Sequence, residues 1–134
     1  MIQNKDQIID KIEENDIKFI KLQFVDLLGE LKNISITSGQ IEKALNGKYS
    51  VDSFHLHGMH EIGCDRIYFR PDIRTFAVLP WRPQHGKVAR FLCDITDADG
   101  NEIAENPRKI LRKIVRDAEN DGYTFDIDPD CEFF

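Results

Sequence analysis

IKFIKLQFVDLLGELKNISIT, residues 17–37, holds two apolar-rich runs joined by a glycine-containing turn. From Ile17 to Phe24 apolar side chains nearly alternate with Lys and Gln, the pattern of a strand with one buried side, and a slip of parity between Phe19 and Ile20 predicts a bulge. Leu27, Leu28 and Gly29 turn the chain, and Leu31 to Thr37 returns with Ile34 and Ile36 on one face. So short a connection makes an antiparallel hairpin the simplest pairing.

Working outward, Ile8, Ile9 and Ile12 recur at helical spacing among charged residues, which predicts an amphipathic helix over Lys5 to Glu14, stopped by Asn15 and Asp16. After the hairpin, Ser38 is suited to cap a helix carrying Ile41, Ala44 and Leu45, and Asn46-Gly47 supplies a left-handed stop. Between Asp52 and Asp65 no period holds, so an irregular loop is expected; loops of that length often carry function. Strands resume at Ile67–Arg70, Phe76–Leu79 and Val88–Ile95, divided by Pro71-Asp72 and by the turn Arg82–Gly86, and Asp97 to Asn101 forms a further turn.

Asn106-Pro107 is a cap followed by proline in the first turn of a helix that ends at Gly122. Ile110, Leu111, Ile114, Val115 and Ala118 form its apolar stripe; Arg108, Lys109, Arg112, Lys113 and Arg116 lie opposite, and their expected place is in solvent. In the last segment, TFDIDPDCEFF, Asp126, Asp128, Asp130 and Glu132 share one parity, so a strand would align four carboxylates on one face, neighbours roughly 6.5–7 Å apart. Hard oxygen donors of that kind favour magnesium or manganese. Cys131 has the other parity and is expected in a core. Ending on Cys131-Glu132-Phe133-Phe134 would leave apolar residues and a strand edge without partners, so the chain is expected to be a piece of a longer protein.

The totals limit the function classes. At 134 residues with 41% apolar and 31% charged content, one globular unit is expected; a net charge of −6 and a pI near 5.2 disfavour nucleic acid and anionic membrane as partners. The first residues lack the apolar run of a signal peptide, and no segment has membrane-spanning length. Three cysteines, odd in number and far apart, fit a reduced, cytoplasmic setting. His55, His57, His60 and Cys64 are dense, but their spacing matches no common structural zinc pattern.

Three stretches together resemble the bacterial-type glutamine synthetases: Lys21 to Asn33 (KLQFVDLLGELKN), Phe69-Arg70-Pro71-Asp72 through Leu79-Pro80-Trp81, and Gly86 to Ile95 (GKVARFLCDI). The resemblance implies an α+β, β-grasp-like domain over 1–104, a mixed or antiparallel sheet with packed helices, and at 105–134 a helix and the first strand of a catalytic domain. It implies an enzyme in which ATP phosphorylates the γ-carboxylate of glutamate and ammonia displaces the phosphate. The family's Glu-x-Glu-Phe metal motif appears as Asp130-Cys131-Glu132-Phe133, which assigns Mg2+ or Mn2+ to Asp130 and Glu132; Glu132 matches and Asp130 reaches one methylene less. The Asp-Gly-Ser-Ser loop, whose aspartate binds and deprotonates ammonium in the neighbouring subunit, appears as Asp52-Ser53-Phe54-His55. ATP would bind outside this chain, and the implied assembly is a homo-oligomeric ring, a dodecamer of two hexamers. The changed residues after Asp52, with Asp65-Arg66, leave open a γ-glutamyl-amine (polyamine) ligase, or a non-catalytic assembly module.

Overall fold

A computed structural model describes residues 4–55, 63, 65–81 and 86–133. The expected turn at Arg82–Gly86 falls largely outside them, as do His57, His60, Cys64 and Phe134.

The hairpin forms as read: β1 (Ile17–Val25) and β2 (Leu31–Thr37) pair antiparallel from Phe19↔Thr37 to Val25↔Leu31. Asp26, almost fully buried, builds the turn by accepting from the Leu28 and Glu30 backbone N–H groups at 2.9 Å each. Burial pushes its carboxyl up, but these two bonds and Lys32 outweigh that and hold it below the usual range. The bulge lies two residues earlier than the parity slip suggests. Against its other neighbour the register of β1 shifts between Ile17 and Phe19, which turns Ile17 and Ile20 inward and leaves Phe19 half exposed.

Helix α1 (Lys5–Glu14) starts where Asn4 Oδ1 accepts from Gln7 N at 2.9 Å and buries Ile8 and Ile12. After β2 the chain differs from expectation: Ser38 opens a 3-10 turn (Ser38–Gln40), and Thr37 is the cap, its N–H donating to Gln40 Oε1 at 3.3 Å. Helix α2 (Ile41–Leu45) follows and stops at Gly47, whose φ of +68° suits glycine. Both helices pack Ile8, Ile12, Ile41 and Ala44 into the core against the sheet, each buried isoleucine contributing about 1.5–3 kcal/mol.

The sheet runs β2-β1-β6-β4-β3, with β5 beside β6. Strands β3 (Ser50–Asp52), β4 (Arg66–Pro71) and β5 (Ala77–Val78, shorter than Phe76–Leu79) are antiparallel to their partners, whereas β6 (Lys87–Thr96) lies parallel to β1. The sheet is therefore mixed, and β6 is its centre.

Helix α3 (Pro107–Asn120) begins as read, with Asn106 Oδ1 accepting from Arg108 N at 3.2 Å, and ends at Gly122, φ +85°. Its orientation corrects the sequence reading. Ile110, Leu111, Ile114 and Val115 are exposed, and of the basic residues expected in solvent Arg108, Lys109 and Arg112 turn to acceptors at the sheet, while Lys113 and Arg116 stay exposed as read. Among the described residues no segment pairs with Tyr123–Phe133, which has no strand structure in this chain, and Cys131, expected in a core, is exposed. Phe133 stands 91% exposed.

Candidate functional site

Asp52 ends β3 at the edge of the sheet, opposite Arg66 of β4. Its Oδ1 accepts from Phe54 N at 2.9 Å, opening a 3-10 turn (Ser53–His55), while Ser53 N donates to the Asp65 carbonyl at 3.0 Å and closes the loop's neck. The side chain is exposed and Oδ1 is committed locally, while among the described residues Oδ2 takes no hydrogen bond and could meet a cation. Arg66 does not neutralise it, since its guanidinium turns to Ser50 Oγ at 3.0 and 3.2 Å. Beside the neck lies an open recess of about 320 Å³ lined by Asp65, Arg66, Tyr68, Asp97 and Asp99 among others. Asp97 is a turn former here, its Oδ1 accepting from Asp99 N and Asn101 N at 2.9 and 2.8 Å, with Asn101 the first of the donors that hold its carboxyl below the usual range.

Asp130 and Glu132 lie on the exposed segment after α3, away from any hydrogen bond or ion pair among the described residues. The structure does not bring them into contact with Asp52. Among the described residues no three His, Cys, Asp or Glu side chains are grouped to hold an ion. The donor set fits a hard divalent cation in kind: two accessible carboxylates, with the rest of a six-oxygen shell to come from elsewhere.

The residues that do converge include two arginines that the sequence reading leaves to solvent. Asp72, Asp94 and Glu102 meet Arg108 and Arg112 across the α3–sheet junction. Asp72 caps the 3-10 turn Ile73–Thr75 that follows β4; its Oδ2 accepts from Arg74 Nη2 and from Arg108 Nη2, both at 3.0 Å. Asp94 on β6 accepts from Arg112 Nη1 at 2.9 Å and has Arg108 Nε at 3.5 Å, and Arg112 Nη2 bonds Glu102. Lys109 Nζ donates to the Glu102 carbonyl at 2.9 Å. Arg74, ahead of Arg108, holds the Asp72 carboxyl down at about 2 against the opposing effect of burial. The usable signal was Arg108 and Arg112, one helical turn apart immediately after a cap. Nearby Cys93 is inert, its thiol pushed up to about 12 by burial and then by Asp94.

Residues 16–98 match the family described as Glutamine synthetase, beta-Grasp domain. The glutamine synthetase of Clostridium saccharobutylicum is 43% identical over 130 residues, 97% of this chain and 29% of that protein; that of Halobacterium salinarum is 40% identical over 132 residues, 98% and 29%. The chain thus spans 29% of the length of these curated relatives. Among solved structures, a cryo-EM Plasmodium falciparum glutamine synthetase superimposes with a TM-score of 0.76 at 19% identity, over 90% of this chain and 23% of that one. A GmaS–ADP complex gives 0.72 at 21% identity, over 84% and 25%. At such identities these likenesses speak for the fold alone.

Proposed function

The chain belongs to the glutamine synthetase β-grasp domain family, and on that premise we propose that the whole protein is a glutamate–ammonia ligase of the cytoplasm. In it residues 1–104 form the β-grasp domain and 105–134 lead into the catalytic domain. The observation that carries this reading is 43% identity to a glutamine synthetase across 97% of the chain. ATP and glutamate bind outside these residues, so the isolated chain is inactive.

Within the reaction, γ-glutamyl phosphate forms from ATP and glutamate, and ammonia displaces the phosphate. Asp52, exposed and with one carboxylate oxygen uncommitted, attracts ammonium and takes its proton at Oδ2, which frees the nitrogen lone pair. Asp130 and Glu132 would hold Mg2+ or Mn2+, which would supply positive charge against that of the phosphoryl group. A ring of subunits, a dodecamer of two hexamers, sets the Asp52 loop of one subunit in the active centre of the next.

Full-length Asp52→Ala and Glu132→Ala variants test this: each is expected to be nearly inactive, and mixing them under subunit exchange should restore some glutamine formation. Persistent inactivity in proven mixed rings would place both residues in one centre. A second reading, γ-glutamyl-amine ligation, is favoured by Ser53-Phe54-His55 after Asp52, where glycine and two serines are expected, with Phe54 69% exposed in the loop. Assaying the full-length protein with ammonium against polyamines separates the two substrates.

A further inference from the structure

On the face of the sheet turned away from α1 and α2, two cations stand side by side. Lys21, Gln23 and Val25 of β1 and Arg90, Leu92 and Asp94 of β6 alternate with the buried Leu22, Phe24, Phe91 and Cys93, so they point to the side opposite the core. Lys21 is the register partner of Arg90, and the row they share runs Ser35, Lys21, Arg90, Ala77 from β2 to β5. Like charges placed directly opposite destabilise a sheet. Among the described residues neither side chain has a hydrogen bond or an ion pair, although both are half-buried. The acids of this face are already committed: Asp94 to Arg108 and Arg112, and Asp72, whose N–H donates to the Leu92 carbonyl, to Arg74 and Arg108. With 24 acidic against 18 basic residues in the chain, the pair is a local reversal of the prevailing charge.

We propose that Lys21 and Arg90 receive a carboxylate-bearing surface from the part of the same chain that follows residue 134, forming an ion-paired contact between this domain and the rest of the protein. The inference rests on the reading above, in which the chain leads into a catalytic domain; the curated relatives are matched over 29% of their length. Position argues for the same chain as the source. Helix α3 is anchored on Asp94, four residues along β6 from Arg90 and on the same face, so the chain leaves the sheet from the side on which the two cations stand. An acceptor carried on the same chain also meets them at a high effective concentration. The flanking groups argue for a protein surface over a free ion: Phe19 and Leu31 share this face at 50% and 58% exposed, and an inorganic anion would leave both in water. Adjacent strands lie about 4.7–4.9 Å apart, within the span of one acid whose oxygens Arg90 takes as a pair and whose charge Lys21 also meets.

The test uses the full-length protein and needs no variant. A water-soluble carbodiimide joins an amine to a touching carboxyl without a spacer, and mass spectrometry of the digest identifies the partner. Lys21 is expected to couple to an Asp or Glu beyond residue 134, and in assemblies mixed from isotopically light and heavy chains the two joined peptides should carry the same label. An amine paired with a covered carboxylate is a poor nucleophile, so acetylation should reach Lys21 about tenfold or more slowly than the exposed Lys48. Coupling between unlike labels, the absence of any coupling beyond residue 134, or acetylation of Lys21 as fast as that of Lys48 would overturn the inference. If the full-length protein makes no glutamine while Lys21 still couples within its own chain, the enzymatic reading fails and the contact stands, so the two failures are distinct.

Discussion

Helices α1 and α3 are both amphipathic and both start at an asparagine cap, yet they use their apolar faces in opposite ways. In α1, Ile8 and Ile12 are 0% and 5% exposed; in α3, Ile110, Leu111, Ile114 and Val115 are between 42% and 60% exposed. The difference lies in the sheet that each helix meets. Beneath α1 it presents Ile20, Leu22 and other apolar side chains; beneath α3 it presents Asp72 and Asp94. Periodicity specifies that a helix has two faces, and the surface opposite decides which face is inside.

The sharpest way to break the comparison is to truncate each apolar face and measure urea unfolding of this chain. Ile8→Ala is expected to cost about 2–5 kcal/mol, the loss of a fully buried side chain with the cavity it leaves. Next comes acid. The Asp72 carboxyl lies at about 2 in the folded chain against an ordinary 3.8, held down first by Arg74 and then by Arg108. A lowered value contributes stability that is complete above the unfolded pKa and lost as pH falls through the folded one. Stability should therefore drop by about 2 kcal/mol between pH 4 and 2 through this group, and Asp72→Asn should remove that part of the pH dependence. Third, Asn106→Ala should cost about 1 kcal/mol, more than Asn4→Ala at the other cap, since Asn106 is buried and Asn4 is exposed. Smallest of all, Ile114→Ala should fall within about 0.5 kcal/mol of wild type. A cost equal to that of Ile8→Ala would mean that α3 packs like α1 after all.

Local patterns were legible from sequence because local interactions produce them. The helix at Lys5–Glu14, the hairpin around Asp26–Glu30 and the asparagine-proline start of α3 depend on spacing, turn chemistry and caps within a few residues. The parallel pairing of β1 with β6 left no local mark, and neither did the Asp72–Arg108 contact, whose partners come together only once the sheet exists. The acidic alternation at Asp126–Glu132 was read as a strand, but alternation marks only the capacity for one. Strand structure needs a paired edge, and among the described residues nothing pairs with this segment. Of the candidate site residues, Asp52 could be read as a loop-edge carboxylate, and the resemblance to glutamine synthetases supplied roles for it and for Asp130 and Glu132.

The central place of β6 also has a kinetic consequence. Its pairing with β1 joins Gln23 to Leu92 and Ile17 to Lys87, so the middle of the sheet closes only after most of the chain is available. During synthesis the first helix and hairpin can form early and must wait, their inner faces wet, for a strand made much later. Contacts of such long sequence separation require loop closure before they return any stabilisation, which slows folding. A nascent chain stalled before residue 87 would hold β1 with one edge unpaired and the apolar side of its hairpin uncovered, the state most prone to capture by chaperones or to aggregation.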